Sequence, residues 1–183
     1  MIESQSQDPK LWQRAIHEAG HAVAALARGI KVLGASLQPG ISLRGVPISS
    51  SCDIDIQRIE GESYSDAGKR AMTTYYGGAT AEALFFDECP IRVIRRQKCD
   101  RKKVRKCVEY LRSQGLSDCD VKKCRKQAFE EAIYLVEKLR PVIWAIAVKL
   151  QYKHTLSGPE IENIARSVAL TYFTMDDKGV SAP

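Results

Sequence analysis

Apolar residues recur at helical spacing near the start of the chain, where Trp12, Ala15, Ile16, Ala19, Val23 and Leu26 form one stripe. Asp8 and Pro9 stand ahead of it as N-cap and first helical residue, and Gly29 falls where a left-handed cap would close the helix. From Ile30 to Ile48 the pattern shortens. β-Branched residues, partial alternation and turn signals at Gln38-Pro39-Gly40 and Arg44-Gly45 predict two short strands in a hairpin. Residues 49–65 are polar and irregular and read as a loop. A second helix is expected from about Asp66 to Phe86, interrupted or closely packed at Gly77-Gly78, followed by a proline-containing connection from Asp87 to Lys98. A third helix starts near Asp100, carries Val104, Cys107, Val108 and Leu111 on one face, and stops at Gly115. The next stretch, from about Asp118 to Gln151, should bend or divide at Pro141, which cannot donate a helical hydrogen bond. Ser157 and Glu160 read as a capping box for a last helix through Leu170. The expected fold is mainly α with a small β-hairpin or sheet beside the first helix. Residues 9–175 are expected to form one domain, with residues 1–8 and 176–183 as flexible ends.

Composition supports that picture and narrows it. With 183 residues, 44% of them hydrophobic, the chain can bury a real core and does not have the make-up of a disordered one. Its longest apolar run, Val142 to Val148, falls well short of the roughly 20 residues that a membrane-spanning helix needs. Met1 to Asp8 has neither the basic start nor the apolar stretch of a secretory signal, so a soluble, cytoplasmic protein with reduced cysteines is expected. The six cysteines include no C-x-x-C pair, which argues against a structural zinc knuckle. Trp12, Trp144 and most tyrosines sit at helical spacing and read as core or half-buried residues.

The net charge of +6 is unevenly spread. Arg92 to Lys126 holds fourteen basic and four acidic residues, a local +10, and the rest of the chain is mildly acidic. Such a block suits a solvated helical face more readily than a nucleic-acid site, because only Tyr110 interrupts it with an aromatic ring.

The chemistry concentrates in His17-Glu18-Ala19-Gly20-His21, an H-E-x-x-H pattern inside the first predicted helix. Spacing of four residues stacks both imidazoles on one helix face, where one metal ion can use both. Glu18 lies about 100° around the helix, near a metal-activated water without being a ligand. Zinc is the expected metal, one ion per chain, and two histidines leave it short of a third protein ligand. His154 is the one other histidine and lies far along the chain, so a carboxylate is expected to complete the site.

Ala15 to Val23 resembles the active-site helix of the FtsH family of zinc proteases. Gly77-Gly78-Ala79-Thr80-Ala81-Glu82-Ala83-Leu84-Phe85-Phe86 is similar to that family's G-G-R-A-A-E-E-L-x-F helix. Cys99-Asp100-Arg101-Lys102-Lys103-Val104 stands at its S-N-D segment, and Leu156-Ser157-Gly158-Pro159-Glu160-Ile161 at its L-x-G-x-E stretch. The resemblance covers about residues 10–170 in order. It implies a helical zincin-like peptidase domain in which His17, His21 and Asp100 bind zinc and Glu18 is general base. Glu82 competes with Asp100 as the third ligand or supports the site, and a simple N-cap is the plainer role for Asp100.

The chain contains no G-x-x-x-x-G-K-[ST] phosphate loop, so the expected activity is that of an ATP-independent zinc metalloendopeptidase. Its expected partner is a polypeptide substrate, with a separate ATPase or adaptor and a homo-oligomer left open. Neither a membrane nor a nucleic acid is expected. The hairpin region Ile30 to Ile48 is the candidate edge on which substrate would add as a strand. The competing function is a catalytically silent adaptor or inhibitor of a protease complex.

Overall fold

In the computed structural model, which describes residues 8–41, 47–48 and 50–176, the first helix forms as its caps dictate. α1 (Pro9–Ala27) begins at Asp8, whose carboxylate accepts the amide hydrogen of Lys10, and gives way to Gly29 at φ 65°. The flexible ends and the Arg44-Gly45 turn fall outside the described residues, except that Asp8 is the α1 cap and Asp176 ends the last helix.

The β region departs from a single hairpin. β1 (Lys31–Ser36) does not pair with the segment just after it. β2 (Gly40–Ile41) and β3 (Pro47–Ile48) form a small ladder of their own, and β4 (Ser51–Asp55) comes back antiparallel to β1 inside the stretch expected to be loop. Only Ile54 in β4 is strongly apolar, so the segment shows little periodicity; the strand exists because β1 offers it an edge.

α2 (Tyr64–Phe85) starts at Ser63, whose hydroxyl accepts from the Asp66 amide, and runs unbroken through both glycines. The connection before the third long helix is itself helical, as α3 (Pro90–Arg96). α4 (Lys98–Ser113) starts two residues before Asp100, and Gly115 at φ 86° turns the chain out of it. The stretch around Pro141 divides into α5 (Asp118–Lys138) and α6 (Arg140–Lys153), with the proline in the first turn of α6 where its missing amide costs nothing. β5 (Thr155–Ser157) then pairs with the other side of β1, and α7 (Gly158–Asp176) follows, longer than expected. The Glu160 carboxylate accepts the Ser157 amide at 2.9 Å, as in a capping box.

The result is mainly helical with a three-stranded antiparallel sheet ordered β4-β1-β5. β1 is therefore central; over Gly34–Ser36 it is paired on both sides and offers no edge to a substrate strand. One core joins α1, β1, α6 and α7 through residues such as Ile16, Val32, Ile143, Leu150 and Ile161. Each large aliphatic side chain buried there contributes about 1.5–3 kcal/mol. A second core joins α2, α4 and α5 around Met72, Leu111 and Ala128. Trp144 departs from the expected burial: it is 52% exposed, lying edge-on to Trp12 and stacked on Phe85, and Tyr152 and Tyr134 are also on the surface. No helix among the described residues is long and apolar enough to cross a membrane.

Candidate metal centre

α1 and α2 cross where both lack side chains. A Cβ on Gly20 would stand 2.5 Å from the Gly77 carbonyl oxygen, and one on Gly77 would stand 2.6 Å from that of Gly20. Glycine is required at both positions for the backbones to meet this closely. The crossing brings the imidazoles of α1 against α2, while α4 supplies Asp100 from its first turn.

His21 is 5% exposed, and its Nδ1 lies 2.8 Å from the Thr74 carbonyl oxygen. A carbonyl only accepts, and this contact is shorter than the 3.3 Å approach of the Gly78 amide to the same nitrogen, so Nδ1 is assigned the proton and Nε2 keeps its lone pair. His17 repeats the logic with a carboxylate: its Nδ1 donates to Glu82 Oε2 at 3.1 Å. Glu82 is itself buried and held by Gln13 at 2.7 Å, Gln97 at 2.8 Å and Arg96 at 3.2 Å. Burial works against its ionisation, but His17, Gln13 and Arg96 hold its pKa below the usual carboxylate value. Glu82 thus meets the outer nitrogen of His17 and supports the ring from behind.

The inner atoms converge. His17 Nε2 and His21 Nε2 are 3.2 Å apart, and Asp100 Oδ2 lies 3.1 Å from the first and 3.3 Å from the second. Asp100 Oδ1 faces the other way, 3.6 Å from Lys103 Nζ. Asp100 does not cap α4, whose N-cap is Gln97. With both Nδ1 atoms committed as donors, the three inward atoms are all acceptors. Such a triangle holds together only around a positive centre, either a proton or a metal ion. In the metal-free state a proton takes that place: burial opposes charging His17, but Asp100, Glu82 and Glu18 outweigh it and push its pKa up to about 10. Burial likewise opposes the Asp100 charge, yet the imidazoles of His21 and His17 hold that carboxyl far below its usual range.

The triangle also passes a size test for zinc. Donors about 2.0–2.1 Å from a tetrahedral ion stand roughly 3.3 Å from one another, close to the three separations seen here. His17, His21 and Asp100 could therefore hold such an ion. Glu18, on the same helix turn, is 5% exposed, and no hydrogen bond or ion pair engages its carboxylate among the described residues. Its charge acts on His17 and on the thiol of Cys52 in β4.

Of four further contributing groups, three had no signal in the sequence, and Gly78 showed only as part of the closely packed Gly77-Gly78 pair. Thr74 acts through its backbone, Gln13 and Gln97 through amides that could serve anywhere, and Gly78 through absence: a Cβ there would meet His21 Nε2 at 2.5 Å. Of the basic block, Arg96 and Lys103 reach the carboxylates of the site. A scan of the chain against models of known protein families finds no match, and a search of curated proteins finds none.

Proposed function

We propose that this chain is a zinc metalloendopeptidase acting on flexible polypeptide segments, in line with the resemblance of its motifs to the FtsH family. The observation that carries the reading is the convergence of His17 Nε2, His21 Nε2 and Asp100 Oδ2, with both rings oriented by outer hydrogen bonds and, one residue from His17, a buried carboxylate with no partner among the described residues. His17, His21 and Asp100 would hold the ion, and Glu82 and the Thr74 carbonyl would fix the imidazoles in the tautomer that leaves Nε2 to bind. Zinc bound there would supply a Lewis acid and lower the pKa of a nearby water to about 7. Glu18 takes the proton from the attacking water and returns it to the leaving amine, a role open to a carboxylate with no hydrogen bond or ion pair among the described residues. Asp100 would offer one oxygen, Oδ2, to the ligand set, because Oδ1 faces Lys103. The six cysteines are free, which fits a reducing, cytoplasmic setting.

Glu18→Gln tests the mechanism with little change in shape. The expected outcome is one zinc per chain by elemental analysis and no cleavage of an unstructured protein such as casein, which the wild-type protein is expected to degrade. Equal cleavage by both proteins would refute the role of Glu18. Zinc bound without cleavage by the wild type would instead support the catalytically silent adaptor.

A further inference from the structure

α3, α4 and α5, with Tyr76 of α2, line an open groove of about 1140 Å3 whose lining includes none of His17, His21, Asp100 and Glu82. Nine of its lining side chains are lysine or arginine, and none is a carboxylate. Arg105, Arg112 and Lys126 are paired with acidic residues that lie outside the lining. The other six, Arg95, Lys98, Arg101, Lys102, Lys122 and Arg125, have no acidic partner among the described residues. A solvated helix usually mixes its charges; here one sign lines a concave surface drawn from three helices.

The floor of the groove is apolar, formed by Ile94, Val104, Val108 and Phe129. Phe129 is turned into an edge contact with Tyr76, with ring centroids 5.5 Å apart, so the floor presents no stack of open aromatic faces for nucleotide bases. An apolar floor with cationic walls complements a helix that carries aliphatic residues on one face and carboxylates on the other. An α-helix about 10 Å across fills roughly 120 Å3 per residue, so the groove has room for two to three turns.

We propose that this groove docks an acidic amphipathic helix of another polypeptide. Its aliphatic face seats on Val104, Val108 and Phe129, and its carboxylates meet the six unpaired cations. The surface goes beyond the proposed hydrolysis and is read out without zinc or cleavage, so either idea can fail alone.

The test is fluorescence anisotropy with the full chain and a labelled peptide of about 18 residues, with leucines on one helical face and glutamates on the rest. The expected result is saturable binding that weakens as salt is added. It should weaken at least about tenfold in the double variant Lys102→Glu/Arg125→Glu, whose exposed positions leave the fold unchanged by circular dichroism. A peptide of the same composition with its leucines scattered around the helix should also bind at least about tenfold less tightly. Equal binding of the scattered peptide, or no binding of the amphipathic one, would overturn the proposal. Tighter binding of a single-stranded oligonucleotide of equal charge would overturn it in favour of a nucleic-acid site.

Discussion

Gly78→Ala probes the metal centre through the space its ligands need. The new Cβ would lie 2.5 Å from His21 Nε2 and 2.8 Å from each neighbouring ring carbon, whereas ordinary contact begins at 3.4 Å. The ring must therefore retreat by about 0.9 Å, or α1 and α2 must part. Metal–ligand distances tolerate only about 0.2 Å, so a shift several times larger takes Nε2 out of the ligand set. The effect on folding is smaller because two terms oppose each other. Alanine gains about 1 kcal/mol over glycine inside a helix, and overpacking costs about 1–3 kcal/mol, for a net loss of about 0–2 kcal/mol. The variant should fold and bind zinc at least about 100-fold more weakly, beyond the usual cost of losing one supporting hydrogen bond. Competition with a chromophoric chelator reads the affinity, and urea unfolding of the metal-free protein reads the stability. A stably folded variant with wild-type zinc affinity would refute the geometry. Gly77→Ala is the contrast: its Cβ would meet the Gly20 carbonyl and the Ala24 methyl group of α1, so the folding cost should clearly exceed that at Gly78.

Three further experiments address the same cluster. Asp100→Ala should abolish zinc binding, whereas Glu82→Ala, which removes the acceptor of the His17 Nδ1 hydrogen, should weaken it about 10–100-fold without abolishing it; the opposite ranking in metal titrations would exchange their roles. For the metal-free protein, His17, raised from 6.5 to about 10, adds stability that is complete below pH 6.5 and lost as the pH rises through about 10. Asp100, lowered from 3.8, adds stability above that value and loses it on acidification, so urea midpoints should peak between pH 3.8 and 6.5. Zinc affinity should rise with pH as the His17 proton leaves, and a flat affinity profile would contradict the proton-for-metal exchange.

The parts of the site that were legible in the sequence are those fixed by one helix. His17, Glu18 and His21 are related by helical geometry alone, and the cap at Asp8 guarantees the helix. Asp100 was visible only through resemblance, since nothing in local spacing says which of many carboxylates returns to α1 across 83 positions. Glu82 shows why: whether a carboxylate binds the ion or steadies a ring depends on which imidazole nitrogen it meets, a question settled by the α1–α2 crossing. The Gly77-Gly78 pair hinted at close packing, and the structure gives each glycine a definite neighbour. β4 and α3 were missed for different reasons. The strand has one strongly apolar residue and depends on a distant partner, and the short helix is too charged to show an apolar face. The basic block was plain as a number, but a linear count cannot show that its charges line a hollow.

The pairing of Gly34 with Ser157 ties the start of the chain to a point 123 residues later. All residues that converge on the imidazoles lie at or before Asp100, yet the helix bearing them rests on Ile143, Ile146, Leu150, Leu156 and Ile161. During synthesis, the cluster could therefore gather long before the packing behind α1 exists. Contacts this far apart form late, because the intervening chain must first close its loop. A nascent chain stopped after Asp100 would carry the ligands without their backing. Assembly of the centre and rigidity of the centre are thus separate events in time, and the last three elements decide the second.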